Sequence, residues 1–480
     1  MNLPVLSRAR VAIRSMWDAW SSYGTPSGNL MAWDASKAGS RLSKWVPPSG
    51  NFASAYIQPA LLRSRARDAY RNIAWARRAV DILTAYVVGV GVKPLLVTPD
   101  AALKALVQAA WTRWTDLADA EGRFDLYGMQ SQAFKAALID GESLIQILPG
   151  EPLRLKLLAA EHLDSSRDNA TNVAGGIQFG PDDERVAYWL LPKHPAQPVI
   201  TVSVPVPAEL VVHLYAPLQP GAQRGASWLA PALLPMYELR EFVETGLVSA
   251  KVASLFSGFI RSQDGSPLMA DSGEPTFEPG SLARLRPGDE ISFSNPANPD
   301  RAYEPFVKSQ LRSIAAALNL PYELLSGDLS ATTFASGRLG LLAFRRYCDS
   351  IVHNLLVFSL CRPVWQWWVR IAVAMGELPE AVLDMPVKWV AQPVEMLDSR
   401  MEVETQVRQV RAGFTSRSEI VSQSGLDSEV LDQEIARDNA RADQLGLVFD
   451  SDPRRVSQQG QEQQAQPQEV PANASSSAGD

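Results

Sequence analysis

Cysteine is nearly absent from this chain of 480 residues. Only Cys348 and Cys361 occur, and both fall in one helical stretch. Two thiols at that spacing form neither a disulfide framework nor a metal-ligand pattern, which points to a reducing compartment. Histidine is almost as scarce: His162, His194, His213 and His353 stand in unrelated contexts. No G-x-x-x-x-G-K-[ST] phosphate loop occurs, and "GVGVKP" at 89–94 lacks the third glycine and the following helix of a dinucleotide fingerprint. "GASWLAP" at 225–231 is not a nucleophile elbow. A long uncharged apolar run is also missing. The most hydrophobic stretch, 351–375, carries His353, Arg362, Pro363 and Arg370, which suits a core or interface helix and not a membrane span. Arg8, Arg10 and Arg14 interrupt the only apolar candidate for a secretory leader. No catalytic site, cofactor, metal or membrane partner is expected.

What is present is an ordinary globular composition, with 46% hydrophobic and 20% charged residues, enough to build a sizeable core. The net charge of −7 is unevenly spread. Residues 1–80 hold twelve Lys/Arg against three Asp/Glu, and residues 372–480 hold nine against nineteen. A basic arm and an acidic far end imply different partners at the two ends. Thirteen tryptophans stand out. Trp365, Trp367 and Trp368 fall within one helical turn, so they point to more than one face. That fits a helix packed between subunits, or an ordinary core helix.

Residues 1–60 read as an irregular, extended arm. Apolar spacing through Ile73, Val80, Leu83 and Val87 predicts a helix over 62–88, and further helices are predicted over 99–118 and from Asp125 to Asp140. Short strands follow at 143–148, 153–159, 175–180, 185–191 and 209–215, with a "GPDD" hairpin turn between the third and fourth. Asp140-Gly141-Glu142 reads as a turn, and Glu161, His162 and Asp164 as structural groups. A long helix is predicted over 231–261, then a Gly/Pro-rich β module with strands near 276–278 and 289–293, then a helix over 303–319. Another long helix covers 339–375. Residues 397–446 are helical, with an N-terminus at Ser416, and a low-complexity tail closes the chain. The fold class is α+β, predominantly helical.

The order of these elements, and several long phrases, resemble the lambda-type portal proteins of tailed bacteriophages. The phrases include "ARDAYRNIAWARRAVDILTAYVVGVGVKP" (67–94), "DLYGMQSQAFKAALIDGESLI" (125–145), "GASWLAPALLPMYELREFVETGLVSAKVASLF" (225–256) and "LRSIAAALNLPYELLSGDLSATTFASGRLGLLAFRR" (311–346). The similarity extends over residues 60–448 or so. It implies a homo-oligomeric ring, usually a dodecamer, at one capsid vertex of the virion, assembled in the host cytoplasm. Double-stranded DNA is packaged and ejected through its channel. The implied partners are the large terminase subunit, the head–tail adaptor or head-completion protein, the major capsid protein and the scaffold. Mapped residue by residue, the resemblance places an arm at 1–60, a wing at 61–230, stem helices at 231–262 and 301–320, and a clip at 263–300. It places a tunnel loop at 326–337 inside a 321–394 segment, a crown at 395–448 and a tail at 449–480. A packaging motor enzyme and a head-completion ring are the alternatives. The missing phosphate loop argues against the first, and the β module inserted between two helices argues against the second.

A loop that narrows a DNA channel has to approach phosphates without gripping them. The duplex carries a charge every ~1.7 Å of axis, so rings of Lys or Arg there would bind tightly. Ser330, Thr332, Thr333 and Ser336 are therefore the candidate contacts, as weak and interchangeable donors to phosphate, with Arg338 the one strong contact. In the clip, Arg284, Arg286, Asp289 and Glu290 are the candidate partner-binding residues.

Overall fold

A computed structural model describes residues 59–167, 172–196, 202–255, 259–262, 289–292, 303–391, 399–424, 428–447 and 449. The arm up to residue 58, the tail from 450, the 276–278 strand, Arg284 and Arg286 lie outside the described residues.

The predicted helix over 62–88 is two helices, α1 (Pro59–Asn72) and α2 (Ala74–Val87). Ile73 divides them. Its backbone is extended (φ −114°, ψ 114°) while its side chain is buried. The hydrogen bonds Ile73 N–H to Ala69 O (2.8 Å) and Arg77 N–H to Ile73 O (3.1 Å) carry the chain across the break. Helices α3 (Ala101–Thr115) and α4 (Leu126–Asp140) start where an aspartate caps free backbone donors. Asp100 accepts from the Ala102 and Leu103 amides, and Asp125 from the Gly128 amide.

Four short sheets follow. After β1 (Lys93–Leu96), strand β2 (Glu142–Leu148) sits between β3 (Arg154–Leu158) and β8 (Val211–Tyr215), all antiparallel. β2 is buried along most of its length, so its sequence does not alternate between apolar and polar residues, and the buried Glu142 and Ser143 stand at its head. Strands β4 (Val173–Ala174), β5 (Ile177–Phe179), β6 (Arg185–Leu190) and β7 (Val204–Pro207) form a meander, with a register irregularity at Gln178/Phe179.

Helix α5 (Ala230–Leu255) is shorter than its predicted range, and Phe259–Ser262 forms strand β9 instead. β9 pairs antiparallel with β10 (Asp289–Ser292). The partner of β10 thus comes from the end of the predicted helix. Three of its four residues are Phe, Ile and Ser, a β-compatible set that helical periodicity alone did not separate from the helix before it. Helix α6 (Tyr303–Ala317) returns alongside α5: Phe242 stacks on Tyr303 (5.4 Å between ring centroids) and meets Phe306 (5.0 Å). Gly246 also faces Tyr303, so the two helices run antiparallel.

After α7 (Tyr322–Ser326), a long rod is built from α8 (Phe334–Ile351), a π-helical segment over Val352–Cys361, and α9 (Arg362–Ala374). The π segment ends two residues before Pro363. A proline there has no N–H for the Ser359 carbonyl, and its ring collides with that carbonyl in a regular α-helix. Strand β11 (Val387–Val390) pairs with β1, and α10 (Ser399–Arg411), α11 (Arg417–Gln423) and α12 (Ser428–Leu445) close the described chain. Ser416 caps α11 through the Glu419 amide, as its sequence predicts.

The tryptophan question resolves inside the subunit. Trp365 and Trp368 of α9 pack on Trp111 and Trp114 of α3, with centroids 4.9–6.1 Å apart. All four rings are buried. Trp114 Nε1–H donates to Leu153 O, and the half-buried Trp367 donates to Glu209 O. The rod is a core helix on this face. Among the described residues, no helix is long and apolar enough to cross a membrane, and no group of His, Cys, Asp and Glu is arranged to hold a metal ion.

Candidate nucleic-acid interface

The loop between α6 and α8 is built from its aspartate outward. Helix α6 ends on Asn319 in the left-handed region (φ 53°), and α7 ends on Gly327, also left-handed (φ 76°). Gly327 has no Cβ to strain that turn. Arg78 of α2 lies against it and donates from Nε to Leu324 O (2.6 Å), capping the last turn of α7 from outside. Asp328 then collects four donors. Its Oδ1 accepts from the Ser330 amide (3.0 Å) and hydroxyl (2.6 Å), and its Oδ2 from Tyr322 OH (3.2 Å) and Lys308 Nζ (3.3 Å). The Ser330 bonds, then Lys308 and Tyr322, hold this carboxyl well below the usual carboxylate range. Lys308 also pairs with Glu304 (2.9 Å), so the loop is pinned to the second helix of the α5–α6 pair.

This geometry changes how the predicted contacts work. The helix begins at Phe334, inside the predicted 326–337 loop. Thr333 is its cap: Thr333 Oγ1 accepts from the Ser336 amide (3.3 Å), and Ser336 Oγ accepts from the Thr333 amide (3.1 Å). That reciprocal pair is a capping box, with serine in place of the usual Glu or Gln. Ser330 is committed to Asp328, and Thr332 Oγ1 lies 3.4 Å from Glu323 Oε1. All four hydroxyls therefore shape the loop first. The surface they hold outward is small and apolar, with Leu329 67% and Phe334 63% exposed. Arg338 lies one turn into α8 and is partly exposed there. In the β9–β10 pair, Asp289 stands opposite Ser262 and Glu290 opposite Arg261.

Thr333→Ala is expected to cost ~1 kcal/mol, as lost N-caps do, and to speed hydrogen exchange of the Ser336 amide. Unchanged exchange there contradicts the cap.

A second feature, not predicted from the sequence, centres on Glu142. Gly141 does make the predicted turn (φ 93°), and an added Cβ would meet the Ala226 carbonyl carbon at 2.5 Å. Glu142, however, turns inward and is 1% exposed. Its carboxylate accepts from Arg63 Nη2 (3.2 Å), Arg224 Nε (2.7 Å) and His213 Nε2 (3.1 Å), and Arg224 Nη2 makes a second contact to it. Burial works against its ionisation, but Arg224 and His213 outweigh it and hold the carboxyl far below its usual value. Burial also pulls the His213 pKa down, so a neutral ring donates through Nε2. Alongside, Arg67 binds Asp140 through two bonds (2.7 and 2.6 Å) and Glu161 through a third (2.6 Å). The network joins α1, the start of β2, β8 and the loop before α5. The only local signal in the sequence is an acid at the head of a strand, and it does not single out the distant arginines at 63 and 224 that answer it.

The sequence pattern of a family described as phage portal protein, lambda family, matches residues 38–351. The chain is 22% identical over 427 residues to a probable portal protein of Halomonas phage phiHAP-1, covering 82% of each. It is 22% identical over 356 residues to portal protein B of Escherichia phage lambda, covering 62% of this chain and 67% of that one. Among solved structures, the neck of a native gene transfer agent particle aligns with a TM-score of 0.44 at 15% identity, over 77% of this chain and 94% of that one. A family match that spans well over half of the chain settles the assignment: the protein belongs to the lambda family of phage portal proteins.

Proposed function

We propose that the protein assembles as a ring of about twelve copies at one capsid vertex, with double-stranded DNA packaged and ejected through its channel. In this reading the ring is part of the virion, having assembled in the host cytoplasm. The α5–α6 pair is the stem, the chain joining the two helices is the clip, and the loop around Asp328 is the tunnel loop. Residues 61–230 with the rod form the wing, and α10–α12 the crown. The carrying observation is the antiparallel α5–α6 pair: β strands lie at one end, and a pinned, small-residue loop leaves the other end within a dozen residues. Exposed apolar residues on α5 (Leu234, Tyr237, Leu247, Val248) support packing against neighbouring copies, because a lone subunit gains nothing by holding them in water. The role needs no chemistry from the chain. Energy for DNA movement comes from a separate motor, the large terminase subunit.

The clip docks that motor during filling and the head–tail adaptor afterwards, and the capsid protein and scaffold surround the wing. Charged groups at such an interface set orientation and association rate more than affinity. Arg284→Glu with Arg286→Glu is expected to leave rings intact and slow terminase and adaptor association about tenfold, measured by surface-immobilised binding kinetics. Native rates for both partners contradict the placement.

A further inference from the structure

A half-open cleft of about 470 Å³ lies between the end of β8 and the π segment. The π segment is what builds one wall of it. Ser350 and Ser359 both line the cleft, yet nine residues are about two and a half turns of an α-helix and would put them on opposite faces. The wider i→i+5 winding brings Ser350, Asn354, Leu355, Phe358 and Ser359 to one side. The opposite wall holds Arg185 and Tyr215, and Trp228 also lines the space.

The charged side chain lining the cleft is a cation, Arg185, and the neutral His213 lines it as well. Arg185 is partly buried over the Tyr215 ring (5.2 Å) and bonds only to the Tyr188 and Tyr215 hydroxyls, with no carboxylate within ion-pair distance among the described residues. Asn354 also lines the cleft, with its Oδ1 3.2 Å from His353 Nδ1. No Asp or Glu lines the space. A half-buried guanidinium without an anion, beside the apolar Leu355 and Phe358, is complementary to a carboxylate carried beside an apolar side chain. At the mouth, Phe358 stays 64% exposed, an aromatic left in water at the rim of a concave site. In the ring proposed above the adjacent protein is a second copy, whose 52 acidic side chains outnumber its 45 basic ones.

We infer that this cleft receives an acidic side chain of a neighbouring copy in the ring, so that assembly neutralises Arg185. The inference rests on the ring reading above. It also gives the π segment a purpose: it shapes a heterologous contact, in which one face of a subunit meets a different face of the next.

The test places a single reactive thiol at the mouth by Phe358→Cys in the full chain. The native Cys348 and Cys361 are both 3% exposed, and burial pushes each thiol up to about 12, so neither competes for maleimide. Labelling in assembled rings is expected to be at least about tenfold slower than in dissociated subunits, because docking covers the rim. Equal rates in rings and subunits overturn the inference and leave the ring reading standing. Absence of rings from the unmodified protein sinks the ring reading and this inference with it. Should Phe358→Cys itself fail to assemble, exposed Asn354 supplies the second arm. Asn354→Asp puts a carboxylate inside the cleft, where it pairs with Arg185 and repels the incoming one. The concentration for half-assembly is expected to rise about tenfold. Native assembly of Asn354→Asp overturns the inference.

Discussion

Replacing Glu142 with glutamine is expected to lower subunit stability by about 3–5 kcal/mol, the range for breaking a buried ion pair by removing one partner. The substitution keeps the side-chain volume, so the loss comes from charge and not from a cavity. Arg63 retains a contact to Glu161 at 3.6 Å, and Arg224 retains bonds to the Ser165 hydroxyl and Gly175 O, neither of which carries charge. Buried Arg224 loses the Glu142 anion, and the NH₂ of the substituted amide faces other donors. Urea unfolding, read as a shift of midpoint at constant slope, measures the effect. The pH dependence has a definite sign. The folded-state carboxyl lies far below its ordinary value of 4.5, so its contribution is fully present above that value and is lost as pH falls below it toward the folded-state pKa. The gap between native protein and Glu142→Gln is therefore constant above about pH 5.5 and narrows on acidification. A gap that widens below pH 4.5 contradicts a stabilising Glu142 carboxylate.

Adding lysine to the loop is expected to slow DNA, although it strengthens DNA binding. Leu329 and Ala331 are the positions for it, since both are exposed and neither caps nor braces the loop. Thr333 is unsuitable because its loss also frays α8. In a ring of about twelve copies, Leu329→Lys with Ala331→Lys adds about twenty-four positive charges at the constriction. Each phosphate contact releases a counterion, so retention becomes steeply salt-dependent, and each step of the duplex has to break contacts that the native small-residue loop never makes. Packaged DNA length and ejection rate in particles, measured across a salt series, report it. The expected result is ejection slowed by at least about tenfold at low salt and restored at high salt. Rings that assemble and move DNA at the native rate at every salt concentration contradict the placement of this loop in the channel.

How far the sequence carried the structure depended on where each signal was written. Local signals were legible. Asp125 and Ser416 cap helices, and Gly141 turns the chain, because those effects involve backbone groups within four residues. The cap at Asp100 was not among them, since the predicted helix starts at 99. The long-range partners were not. Glu142 meets groups 71 to 82 positions away, and nothing in the spacing of charges states that the arginines at 63 and 224 converge on it. The strand at 259–262 was hidden for a related reason: four residues after a long helix, two of them apolar, fit either period until a partner is known. The loop shows the same division. Its small, hydroxyl-rich composition was visible, but each hydroxyl turned out to serve Asp328, Glu323 or the start of α8, because a short loop satisfies its own backbone before it presents anything outward.

The most direct measurement is electron microscopy of the purified, unmodified protein. The account predicts closed rings with a central hole wide enough for a B-form duplex and with the α5–α6 pairs arranged around that hole. Monomers or closed dimers at the concentrations used for assembly, or rings whose centre is filled by protein along the whole axis, contradict it.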